Sequence, residues 1–198
     1  MPAQRAGKRR WADKCPDSVH HLDFVHELFA GDARFIVIVR HGFDVAASLD
    51  ELVFPGLVGH IGERIDGYLE RSGFRLEACC RFWLDEVVAC RSFVRRHPHT
   101  SHVVKYEDLV GDPEKTLDGL FAFLGESWDP TLIEAAFRVP HGEGVGDLRI
   151  HSTQKIETDR VGRWRRWDPA VVATLAPIVA EGLLAFGYEA PLSKQTPK

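Results

Sequence analysis

Arg40 and Ser48 are the residues whose types and spacing point most directly to chemistry. They bracket the stretch RHGFDVAAS, which ends a continuous β-branched and aromatic run, RFIVIV, over residues 34–39. Such a run suits a strand buried on both faces, as in a parallel sheet. Ligands of open α/β sheets bind where such strands end. An arginine at that point offers a planar fork that matches two phosphate oxygens. Ser48, roughly one turn into the helix that follows, can donate a hydroxyl hydrogen bond to the same anion. The residues alone therefore describe an arginine–serine anion site. They also fit an ion-paired arginine beside an ordinary helix serine.

Other chemically capable residues are scattered along the chain. A late basic segment, RVGRWRRWDP, spans residues 160–169. Glu107 and Asp108 fit groups that cap a turn and pair with nearby basic side chains, rather than bases. His20 and His21 fit a helix surface. His97, His99 and His102 lie close together without an acidic or cysteine partner at ligand spacing, so no metal site is expected.

The elements that must position these residues follow from periodicity and punctuation. A helix is expected over 17–30, with Val19, Leu22, Val25 and Phe29 on one face. After the strand, His41 and Gly42 make a turn, and Asp44 caps a helix to about Leu52. Residues 51–72 carry no clear pattern. A long helix spans 75–96, a second strand His102–Lys105. Asp112-Pro113 open a helix whose buried face is Leu117, Leu120, Phe121 and Leu124. A short helix spans 130–138 and a long loop 139–159. Asp168-Pro169 open a last helix to about Phe186, with a kink or break at Pro177. This order describes an α/β fold with a parallel sheet flanked by helices. Residues 1–10 are expected as a disordered basic lead-in, 11–190 as the domain and 191–198 as a tail.

Composition bounds the rest. The chain has 198 residues, 44% of them hydrophobic, and a net charge of −4, so it is globular and not a general nucleic-acid binder. Its four cysteines include no CxxC pair, which indicates a reducing, cytoplasmic compartment with the thiols packed on a helix. No apolar run reaches the roughly 18 residues of a membrane helix, and no secretory signal follows the basic amino terminus.

Four segments together resemble the sulfotransferases that use 3′-phosphoadenosine 5′-phosphosulfate (PAPS). RHGFDVAAS is similar to the RHPxDxxxS motif of the branch related to tyrosylprotein and bacterial sulfotransferases. WADKCP at 11–16 resembles the family's DKxP segment, VVKYEDLVGDPEKTLDGLFAFLG at 103–125 its strand–YEDL–helix segment, and RVGRWRRWDP its late GRW segment. The resemblance covers residues 11 to about 187. It implies a P-loop NTPase-like fold, PAPS as donor and no metal. Arg40 and Ser48 would hold the 3′-phosphate, Tyr106 would lie against adenine, and Arg160, Gly162, Arg163 and Trp164 would close on the nucleotide. Arg163 is the foremost basic candidate of that segment, and Trp164 would pack over the nucleotide or in the core. Lys14 is the one catalytic cation it suggests. The acceptor would be a small molecule, glycan or peptide.

The family's PxSGTT-like phosphosulfate loop is not found. QRAGKRR at 4–10 is the nearest stretch, and it lacks the Walker glycine and a following Ser or Thr. The expectation is a shortened product without the first strand and loop. The competing readings are an intact sulfotransferase, a remnant that binds PAP or PAPS or only a partner without turnover, and another nucleotide-dependent transferase, against which the lack of a Walker loop argues.

Overall fold

The computed structural model describes residues 7, 10–53, 59–138 and 155–191. Most of the expected lead-in, of the 139–159 loop and of the tail lies outside the described residues. Two strands, β1 (Phe35–Val39) and β2 (Ser101–Lys105), pair in parallel from Phe35 opposite Ser101 to Val39 opposite Lys105. A 3-10 turn at Pro16–His21 leads into α1 (Leu22–Leu28). Between the strands come α2 (Gly42–Val53), α3 (Gly59–Ser72) and α4 (Arg75–Arg96). After β2 follow α5 (Tyr106–Gly111), α6 (Pro113–Leu124), α7 (Thr131–Arg138), a 3-10 turn at Arg163–Arg166 and α8 (Pro169–Ala185). The result is an α/β fold, a parallel sheet flanked by helices. Among the described residues no helix is long and apolar enough to cross a membrane.

The core is built around α4, which packs on α2, α3 and α8. It buries Cys79, Cys80, Phe82, Trp83, Val87 and Phe93. Burial pushes the Cys79 thiol up to about 12 and the Cys90 thiol up to about 11. Both remain protonated and pack as small apolar groups. Trp83 lies between two glycines on facing helices. A Cβ on Gly42 would stand 2.7 Å from its ring, and one on Gly182 2.8 Å from it. Gly42 is therefore the first residue of α2 and a packing contact, not part of a turn.

Several expectations are corrected. β1 is not buried on both faces: Val37 and Val39 enter the core, but Ile36 and Ile38 are 42% and 61% exposed. The outer face is covered beside β2, where Val104 is buried and His102 stacks on Phe123 of α6 at 5.1 Å. That cover does not reach β1. Of the kink or break expected at Pro177, the break does not occur: α8 is one helix through it. Leu175, Ala176, Val179 and Leu183 are buried on both sides of the proline, and their packing holds the helix together. Apolar side chains of α6 are only half-buried. The patternless stretch after α2 contains α3, which packs along α4.

The end of β1 is fastened by Glu107. Its Oε1 accepts the His41 N–H at 2.9 Å, and its Oε2 accepts the Tyr188 hydroxyl at 2.6 Å. These donors are neutral, so the expected pairing of Glu107 with basic groups is not what forms. The His41 ring stacks on Trp164 at 4.9 Å, and its Nδ1 accepts the Phe43 N–H at 3.3 Å. Burial pushes the His41 pKa below the ordinary imidazole value, against the opposing pull of Asp44 and Glu107.

Two stability measurements follow. Gly182→Ala is expected to cost about 1–3 kcal/mol by overpacking against Trp83 and Val87, although alanine is the better helix former by about 1 kcal/mol. Gly119→Ala in α6, where a Cβ meets nothing within 4 Å, is expected to stabilise; urea midpoints check both. The folded state holds His41 neutral while the unfolded chain takes up a proton near pH 6.5, so the unfolded state binds more protons as the medium acidifies. His41 thus removes stability as pH falls through about 6.5 and on towards its lowered folded value. His41→Asn should flatten that part of the profile, and an unchanged slope would refute the assignment.

Candidate functional site

The parallel register decides which side chains meet at the strand ends. Val39 lies opposite Lys105, so the next residues, Arg40 and Tyr106, emerge side by side. The Arg40 guanidinium lies over the Tyr106 ring, 4.5 Å from its centre. Its Nη2 donates to the Arg160 carbonyl at 2.5 Å. Its Nε–H is buried with no partner among the described residues. A buried unmet donor costs about 1–3 kcal/mol, so the arrangement keeps hydrogen-bonding capacity in reserve. Ser48 is the seventh residue of α2, nearly two turns in.

Arg40, Ser48, Tyr106 and Arg160 line one cavity of about 900 Å³. Lys155 adds a further cation and Glu157 an acid to its lining. Its apolar lining comes from Leu109, Leu117, Phe121, Ile133 and Phe137 of α5, α6 and α7. The exposed faces of those helices thus turn to the cavity. The charged and donor side chains can hold an anion, and the apolar ones can cover an aromatic or aliphatic group.

Lys14, Gly162, Arg163 and Trp164 do not line this cavity. Lys14 is exposed in the extended stretch ahead of the first 3-10 turn. Gly162 has φ +74°, and its N–H donates to Asp44 Oδ2 at 2.6 Å. Trp164 N–H reaches Asp44 Oδ1 at 3.4 Å, and its ring packs on His41 and Phe43. Asp44 is 1% exposed. It sits in the first turn of α2, where the helix dipole favours a carboxylate, and it caps the backbone of the 162–164 segment rather than its own helix. Arg163 forks onto Glu51, Nη1 donating to Oε2 at 3.1 Å and Nη2 to Oε1 more closely. Glu51 holds the Arg163 pKa above its usual value.

Sequence reasoning missed Lys155, which belongs to no motif, and missed Asp44 and Glu51 as the anchors of the late basic segment. The i, i+4, i+7 spacing of Asp44, Ser48 and Glu51 put them on one face of α2, and that was the available signal. The histidines are placed elsewhere. His97 Nε2 lies 3.0 Å from Asp23, and His20 Nε2 lies 2.7 Å from Glu86.

The Sulfotransferase family model matches residues 1–130. Nodulation protein NoeE of Sinorhizobium fredii is 29% identical over 203 residues, covering 94% of this chain and 46% of that protein. Carbohydrate sulfotransferase 2 of Mus musculus is 35% identical over 63 residues, 32% of this chain and 12% of that protein. The fold matches the sulfotransferase domain of the curacin biosynthetic pathway with a TM-score of 0.68 at 17% identity, over 96% of this chain and 66% of that one. It matches the sulfotransferase domain of a Synechococcus olefin synthase with a TM-score of 0.65 at 24% identity, over 95% and 62%. The chain thus spans under half of NoeE and somewhat under two thirds of those domains. With its family match running through both strands, Arg40, Ser48 and Tyr106, the chain belongs to the sulfotransferase family.

Proposed function

We propose that the cavity binds the 3′-phosphoadenosine part of PAPS and that the protein serves sulfuryl transfer to a hydroxyl or amine acceptor. The observation that carries this is the meeting of Arg40 and Ser48, from a strand end and the following helix, in one hollow with Arg160 and Lys155. Two guanidinium groups, an ammonium and a hydroxyl suit a doubly charged phosphate. The apolar wall and the Tyr106 ring suit a nucleoside. PAPS, when bound, supplies the activated sulfuryl group. The residues of this chain hold and orient it, with charge placed in advance.

Lys14 stays a proposal for the catalytic cation, resting on its DKxP-like segment alone. Arg160 is the member of the GRW-like segment that the cavity supports as a phosphate ligand. A glycan hydroxyl is the favoured acceptor, since two of the relatives carry the name carbohydrate sulfotransferase. The free cysteines favour a reducing, cytoplasmic setting.

Calorimetric titration with PAP tests the nucleotide reading. Arg40→Ala is expected to weaken binding by about 1.5–3 kcal/mol, the range for hydrogen bonds to charged groups. Ser48→Ala, which leaves the Arg40 contacts in place, is expected to cost about 0.5–1.5 kcal/mol. Thermal melts of each variant separate lost binding from lost folding. Equal PAP affinity in wild type and both variants would sink the assignment. Transfer of radiolabelled sulfate from PAPS to a glycan, assayed on the 198-residue chain, separates an enzyme from a binding module without turnover.

A further inference from the structure

The late basic segment offers Arg160, Arg163, Arg165 and Arg166, yet only Arg160 lines the cavity. Arg163 gives both terminal nitrogens to the two oxygens of Glu51. Arg160 Nη1 stands 3.8 Å from Glu51 Oε2, too far for a hydrogen bond. Glu51 lies three residues beyond Ser48 on α2, hence on the same face of the helix, about one turn along. A carboxylate so close to an anion cavity has two effects unless it is neutralised. It repels the anion, and it draws Arg160 out of the cavity into an ion pair of its own.

Resting on the nucleotide reading above, we infer that Arg163 is a positioning residue and not a phosphate ligand: it neutralises Glu51, so that Arg160 is left to the phosphate. The fork geometry is the reason Arg163 wins this competition, because two parallel hydrogen bonds outweigh a single loose contact. Asp44 and Asp159 also face Arg163 and help to hold it in place. The side chains of Arg163, Glu51 and Arg160 are 26%, 37% and 31% exposed, so solvent screens these charges only in part.

The test is PAP titration on wild type, Arg163→Ala, Glu51→Gln and the double variant, each checked for folding by thermal melt. Removing Arg163 takes the forked positive charge away from the carboxylate, and binding is expected to weaken about tenfold, the scale of one partly screened charge nearby. Glu51→Gln removes the competing charge and is expected to bind about threefold tighter than wild type. The double variant is expected to recover to within about threefold of wild type, since no carboxylate remains to be covered. A double variant no tighter than Arg163→Ala overturns the inference and makes Arg163 a direct ligand. A Glu51→Gln variant weaker than wild type overturns it too, because the pair is then a structural clamp, as does an Arg163→Ala variant equal to wild type. Absence of PAP binding by the wild-type protein would instead overturn the nucleotide reading beneath it, a result distinct from the other three.

Discussion

A carboxylate removed from water keeps its charge only if donors surround it. Asp44 is in that position, and its donors come from a segment more than a hundred residues away in sequence. The Gly162 and Trp164 amides close on its two oxygens. This interaction brings the carbonyl of Arg160 to the Arg40 guanidinium and the Trp164 ring onto His41. The cavity's cationic end therefore depends on a buried acid that does not line it. A left-handed glycine at position 162 lets the amide turn towards the acid, and any side chain there would be strained.

Two acids and a serine on one face of α2 divide the work. Asp44 fixes backbone, Ser48 faces the cavity and Glu51 receives a guanidinium. Gly42, the first residue of α2 and two beyond Arg40, leaves room for the Trp83 ring, so core packing comes close to the site. Glu107 adds a second fastening at the same strand end, from the first turn of α5 just after β2. The end of β1 is thus held by hydrogen bonds to Glu107, to the Arg160 carbonyl and from the Tyr188 hydroxyl, and Arg40 lies among them.

The strand-to-arginine unit was legible because RFIVIV is a local, dense pattern with one plausible structure. The proline-and-aspartate starts at Asp112 and Asp168 were legible for the same reason: both side chains cap within three residues of themselves. α3 was not, although Ile61, Ile65, Tyr68 and Leu69 do recur at helical spacing. Gly59, Gly62 and Gly67 lower its propensity, and its stability comes from packing on α4. The role of Arg163 was illegible in principle, since its partner Glu51 lies 112 residues away. An arginine beside a family-like glycine and tryptophan suggests a ligand; only the fold discloses which acid it meets. The double burial expected for β1 failed because pattern reports a residue's appetite for burial, not whether a cover is present.

The outward isoleucines of β1 carry a consequence for the folded chain as a material. Ile36 and Ile38 present oily surface along a strand with no second neighbour among the described residues. Such a rail is a template on which further extended chain can align, backbone to backbone. A strand laid there would gain ladder hydrogen bonds and shelter both isoleucines in one step.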